Sequence, residues 1–137
     1  MTFSCHHIGL STSHPRRLIE FYTNKLGFKA GEKKTVSKKL MQRVFGISSS
    51  GILTKLTLGD VLVEIISPEC FGIEKRPDIV SGYNHWCLSV QNKTLFLKKL
   101  EKKGVEVLQI GKNDRFIYFV KDPEGNLIEI KGEKSDR

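Results

Sequence analysis

Two histidines and two glutamates hold the positions from which chemistry could be done. Glu64 and Glu129 each interrupt a short apolar run, Leu62-Val63-Glu64-Ile65-Ile66 and Leu127-Ile128-Glu129-Ile130-Lys131. His7 and His85 each lie in the alternating stretches His7-Ile8-Gly9-Leu10-Ser11 and His85-Trp86-Cys87-Leu88-Ser89. Side chains alternate between the faces of a strand, so Leu62, Glu64 and Ile66 share a face, as do Leu127 and Glu129. A carboxylate centred in an apolar strand is costly to bury unless it is paired or bound to a metal. A single strand glutamate ordinarily faces solvent, and a single strand histidine is ordinarily structural. The repetition is what argues for a metal site made of His7, Glu64, His85 and Glu129. Imidazole suits Zn, Ni, Co and Fe(II), and carboxylates suit harder ions, so the expected cofactor is one divalent metal ion (Ni, Zn, Co, Mn or Fe). His6 rivals His7, but His7 is the residue that matches His85. His14 is expected at a helix start and not as a ligand.

The elements that must position these residues follow from periodicity and turn signals. Cys5–Thr12 alternates as a strand, with Cys5, His7, Gly9 and Ser11 on one face. Ser13 then reads as a helix cap with Pro15 in the first turn, and Leu18, Ile19, Phe21, Tyr22 and Leu26 follow at helical spacing up to Gly27. Phe28–Val36 reads as a strand. Ser37–Ser50 carries Leu40, Met41, Val44 and Phe45 at helical spacing. Strands Ile52–Leu58 and Val61–Ser67 flank a tight Gly59-Asp60 turn. After a connector over 68–81 the order recurs: strand Tyr83–Val90, helix Asn92–Lys103 with Leu95, Phe96 and Leu100 inward, and strands Val105–Ile110, Arg115–Val120 and Asn126–Lys131. Asp122-Pro123-Glu124-Gly125 is the turn before the last strand. A polar, frayed tail is expected over Gly132–Arg137. The pattern is strand, helix, three strands, written twice, in halves of about 5–68 and 82–131. The first half is longer by an insertion at about Ser37–Gly51. The repeat is too long for a solenoid unit, so one pseudo-symmetric domain over 1–137 is expected.

Composition narrows the classes. With 39% hydrophobic and 28% charged residues among 137, the chain is globular. No uncharged apolar run approaches the ~18 residues of a membrane span, and the N-terminus lacks the pattern of a signal peptide, so no membrane partner is expected. Three widely spaced cysteines argue against a disulfide framework and for a reducing cytoplasm. The net charge of +8 favours an anionic partner. The lysines come as dispersed pairs, with no zinc-finger spacing and no basic run interleaved with aromatics, so nucleic acid is not expected. Arg43, Lys112 and Arg115 are candidate contacts to an anionic substrate. Cys5 and Cys87 share the strand faces of His7 and His85.

At these residues the chain resembles the vicinal oxygen chelate superfamily, which includes glyoxalase I, methylmalonyl-CoA epimerase, extradiol dioxygenases, and fosfomycin and bleomycin resistance proteins. The resemblance spans about residues 5–131. It rests on His7-Ile8-Gly9-Leu10, Phe21-Tyr22 with Leu26-Gly27-Phe28, Gly59-Asp60 leading to Glu64, His85, and Asp122-Pro123-Glu124-Gly125-Asn126 leading to Glu129. It implies an α+β fold of two tandem βαβββ modules forming a half-open mixed β-barrel around one divalent metal, with His7, Glu64, His85 and Glu129 as ligands. It also implies a homodimer acting on a small-molecule substrate, with the site built within a chain or across the dimer. The ligand set is most similar to that of glyoxalase I. The chain departs from that pattern at Ser11, Arg17, Pro68 and Trp86. These departures bear on a glutathione-linked substrate and leave the metal site intact.

The chemistry implied is a metal-dependent isomerase or lyase reaction, by proton transfer through a metal-stabilised enediolate on a small anionic thiol- or thioester-linked substrate. Glu129 is the expected base and Glu64 its partner. The alternatives are an Fe(II)-dependent extradiol-type dioxygenase, a methylmalonyl-CoA-epimerase-like enzyme, and a non-enzymatic ligand-binding protein of the resistance type.

Overall fold

The computed structural model describes residues 1–70, 72–75, 77 and 81–133. The chain forms two compact units, Met1–Lys75 and Arg76–Arg137. The first contains β1 (Ile8–Ser11), α1 (Pro15–Glu20), β2 (Lys29–Val36), α2 (Lys38–Phe45), β3 (Gly51–Leu58) and β4 (Val61–Pro68). The second contains β5 (His85–Val90), α3 (Lys93–Lys102), β6 (Leu108–Lys112), β7 (Arg115–Lys121) and β8 (Leu127–Gly132). Each unit holds one four-stranded mixed sheet, ordered β1-β4-β3-β2 in the first and β5-β8-β7-β6 in the second. In both sheets the first strand runs parallel to the last, and the other pairings are antiparallel. The α+β class and the twice-written βαβββ order therefore hold, and α2 is the extra element of the first half.

Each sheet buries one face beneath its helix. In the first unit Val63 and Ile65 of β4 and Leu56 of β3 are buried, as are Leu18, Tyr22 and Leu26 of the helix. α1 continues into a π-helical turn over Phe21–Leu26, which Gly27 ends at φ 95. In the second unit Ile128, Ile130, Val120 and Leu88 are buried with Leu97 and Leu100 of α3. Removing such side chains from water supplies roughly 1.5–3 kcal/mol each before entropy is counted. These apolar positions alternate with Glu64 and Glu129, which is why the glutamates emerge on the opposite faces.

The boundaries differ from the periodicity in ways that have physical causes. The first strand begins at Ile8 rather than Cys5, because Ser4 to His7 are exposed and offer no apolar side chain to bury. Tyr83 is likewise almost fully exposed, and β5 begins at His85. His14, not Ser13, is the N-cap of α1. The Ser13 hydroxyl is engaged elsewhere: it donates to the carbonyl of Ile73 and accepts from its N–H. In α3, Leu95 is exposed and Leu97 is buried, correcting the inward set. Leu95 is two residues from Leu97, about 200° around the helix and so on its outer side. Val105 does not start a strand. With Gly104 at φ 78, the N–H of Val105 bonds Leu100 and that of Gly104 bonds Glu101, so Val105 closes the helix end. Parts of the connector over 68–81, and the tail beyond Glu133, lie outside the described residues.

The insertion helix α2 is capped at both ends, by the Ser37 hydroxyl accepting from Leu40 N–H and by Gly46 at φ 71. Met41 is its one buried side chain, clustered with Val36, Ile47, Ile66, Leu53 and Ile73. A Cβ on Gly51 would lie 2.5 Å from Met41 Cε, so the glycine makes room for Met41. Leu53 and Ile66 are register partners and share the face of Glu64. α2 therefore covers one end of that face.

The charge is largely accounted for by solvated surfaces. Lys29, Lys33 and Lys34 line the exposed edge strand β2, where charge discourages edge-to-edge pairing. Lys98, Lys99, Lys102 and Lys103 are exposed at the C-terminal end of α3, where cations favour the helix dipole. No helix among the described residues is long and apolar enough to cross a membrane. Cys5, Cys70 and Cys87 are unpaired and exposed.

The turn before β8 is held by one buried carboxylate. Asp122 accepts from the N–H of Glu124 at 2.9 Å, the N–H of Asn126 at 3.0 Å and the Asn126 amide at 2.8 Å. An Asp122→Ala variant strands these donors and is expected to lose about 2–4 kcal/mol in urea unfolding. A loss below about 1 kcal/mol would show that the turn does not depend on this carboxylate.

Candidate metal centre

The strand register places each histidine beside its glutamate. Gly9 pairs with Glu64 across β1 and β4, and Cys87 pairs with Glu129 across β5 and β8. Gly9 lies two residues after His7, and Cys87 two residues after His85. Residues two apart share a face, so in both units the imidazole is projected to the carboxylate's side of the sheet. His85 Nε2 lies 3.2 Å from Glu129 Oε2, and His7 Nε2 lies 3.6 Å from Glu64 Oε2. The glutamate side chains are 13% and 15% exposed, against 35% and 43% for the histidines. The carboxylates are thus drawn into the sheet surface while the imidazoles stay reachable.

Each pair has its own setting. His85 Nδ1 lies 2.7 Å from Asn84 Oδ1, and the Phe119 ring meets the imidazole edge-on at 5.3 Å. The second carboxylate oxygen of Glu129 lies 3.6 Å from Lys131 Nζ. In the first unit His7 Nδ1 lies 2.8 Å from His6 Nδ1, with the two rings edge-on at 5.1 Å. His6 and His7, rivals in the sequence, are thus in direct contact. Lys55 is the register partner of Glu64, where Phe119 is the partner of Glu129. Its amine reaches Glu32 at 3.9 Å. His14 is occupied at the helix start, as expected.

Bare lone pairs on a nitrogen and a carboxylate oxygen at these separations repel one another. A proton between them, or a cation bound by both, relieves that repulsion. Two donors bound at ~2.1 Å to one cation are about 3.0–3.4 Å apart for angles of about 90–110°. The His85–Glu129 separation falls within that range and the His7–Glu64 separation just above it. Imidazole nitrogen with carboxylate oxygen is also a donor set suited to first-row divalent ions. The residues fit a metal, but a protein site uses three or four ligands, and each unit brings two. Among the described residues no group of three or more His, Cys, Asp or Glu side chains is gathered to hold an ion.

The other expected contacts are spread out. Lys112 and Arg115 are register partners flanking the Asn113-Asp114 turn of the β6–β7 hairpin, both exposed. Arg43 is exposed in the last turn of α2. Periodicity did not single out Asn84, Phe119, Lys55 or Lys131. Asn84 could have been found as the residue preceding His85, at the place His6 takes before His7.

A family model described as Glyoxalase/Bleomycin resistance protein/Dioxygenase superfamily matches residues 4–130. No curated protein matches by sequence. Among solved structures, the chain is similar to a glyoxalase family protein from Enterococcus faecalis, at 23% identity and TM-score 0.71 over 93% of this chain and 95% of that one. It is similar to the trypanothione-dependent glyoxalase I of Leishmania major, at 22% identity and TM-score 0.71 over 98% and 89%. It is also similar to the fosfomycin resistance protein FosX of Listeria monocytogenes, solved with Mn(II) and a dihydroxypropylphosphonic acid, at 15% identity and TM-score 0.67 over 96% and 93%.

Cys87 reports on this centre. Its thiol is raised above the ordinary range, first by desolvation on the sheet face and then by the Glu129 carboxylate, with Lys131 pulling the other way. A negative neighbour disfavours the thiolate, so removing it lowers the thiol's titration point. With Cys5 and Cys70 changed to Ser, Glu129→Gln should shift the pH profile of Cys87 alkylation to lower pH. An unmoved or upward-moved profile would contradict the placement of the carboxylate.

Proposed function

The chain belongs to the glyoxalase/bleomycin resistance protein/dioxygenase superfamily, and from that premise we propose that it is a metal-dependent isomerase or lyase of glyoxalase I type. Members of this fold family carry out several chemistries, so the reading rests on the site rather than the scaffold. The observation that carries it is the pairing of one imidazole with one poorly exposed carboxylate at the same register in both units. His7, Glu64, His85 and Glu129 would together hold one divalent cation, within a chain or between the chains of a homodimer. The ion would act as a Lewis acid toward adjacent substrate oxygens, easing loss of a proton from the neighbouring carbon.

The protein's own part is proton transfer. Glu129 as carboxylate takes the proton from that carbon and can return it to the adjacent carbon; alternatively Glu64, starting protonated, gives its proton to the opposite face of the same carbon, and the proton then held by Glu129 passes through solvent to Glu64 to restore both. Both outcomes are isomerisations. The substrate would be small and anionic, joined to a thiol or thioester, with Arg43, Lys112 and Arg115 as candidate contacts for its charge. Three free cysteines suit a reducing cytoplasm.

The test is proton exchange on methylglyoxal–thiol adducts and on methylmalonyl-CoA with the metal-loaded protein. Glu129→Gln and Glu64→Gln are each expected to lower exchange by about 10²–10⁴-fold, and to weaken metal retention. Unchanged exchange and metal content in both variants would refute the assignment. Bound iron with oxygen uptake on catechols would replace it with a dioxygenase.

A further inference from the structure

The residue immediately before each ligand histidine touches its ring, and it does so in both units. We infer that Asn84 and His6 are positioning residues, each holding the Nδ1 edge of the following imidazole so that Nε2 is turned to the carboxylate as a lone-pair donor. This rests on the metal-centre reading above.

The side chains of neighbouring residues in an extended strand diverge to opposite faces. The contacts of 2.7 Å from Asn84 to His85 and 2.8 Å from His6 to His7 lie at the strand starts, β5 beginning at His85 and β1 at Ile8.

The chemistry of the contacts then selects the tautomer. Asn84 Oδ1 and Glu129 Oε2 both accept, so without a cation the two compete for the proton of a neutral His85; once a cation takes the Nε2 lone pair, the proton is left on Nδ1, where Asn84 Oδ1 accepts it. The same state arises in the first unit when His7 Nδ1–H donates to the lone pair of His6 Nδ1. An imidazole binds a cation only through an unprotonated nitrogen. A hydrogen bond at the far nitrogen both fixes that state and stops the ring from swinging, and such partners typically matter by 10–100-fold in metal affinity. Asn84 and His6 are themselves exposed, so they are dispensable to the core.

Ni(II) affinity of the full chain, measured by competition with a chelator, tests this. Asn84→Leu and His6→Phe should each weaken binding about 10–100-fold. Asn84→Asp and His6→Asn keep an acceptor at the same place and should bind within about threefold of the parent. In the Zn(II)-loaded protein the His85 Nδ1–H should be protected from solvent exchange, and Asn84→Leu should speed that exchange. If the parent chain binds Ni(II) and Asn84→Leu and His6→Phe bind as tightly, or the exchange is unchanged, the inference falls while the metal reading stands. If the parent binds no metal, the metal reading falls and takes this inference with it.

Discussion

The register of the one parallel strand pair in each sheet is the constraint on which the rest depends. Gly9 opposite Glu64, and Cys87 opposite Glu129, put an imidazole and a carboxylate on one face with their donor atoms within 3.6 Å and 3.2 Å. A slip of a single residue would turn the carboxylate into the helix-covered core, where an unpaired charge costs several kcal/mol. The apolar residues on either side of each glutamate prevent that slip. Val63 and Ile65, and Ile128 and Ile130, are all at or below 1% exposure. The packing that stabilises each sheet is thus also what aims its carboxylate.

The two units repeat this arrangement without being copies of it. An aromatic ring, Phe119, stands opposite Glu129, whereas a cation, Lys55, stands opposite Glu64. Lys131 adds a positive charge beside Glu129. The first unit alone carries α2, whose Met41 fills the end of the Glu64 face over Gly51. The two glutamates thus stand in unlike surroundings, as the two proposed roles of taking and returning a proton would require.

Much of this was legible in the residues because it depends on local rules. Alternation about Glu64 and Glu129 set their faces, Gly27 marked a helix end, and Asp122 to Gly125 announced their turn. The insertion was legible as excess length in the first half. What could not be read there depended on contacts distant in sequence or on strand starts. Ser13 was lost as a cap to Ile73, sixty residues away. Leu97 rather than Leu95 faces the core because the helix phase is set by the sheet beneath it. Asn84 was not singled out because Tyr83–Val90 reads as one strand, whereas β5 begins at His85.

The central claim is that two half-sites of two donors each serve a single cation. Native mass spectrometry of the Co(II)-titrated protein counts ions per chain most directly. The account predicts one Co(II) per chain, lost when either His7 or His85 alone is changed to Ala. Two ions per chain, with one surviving each substitution, would mean that the half-sites act separately. No bound ion would leave only the fold.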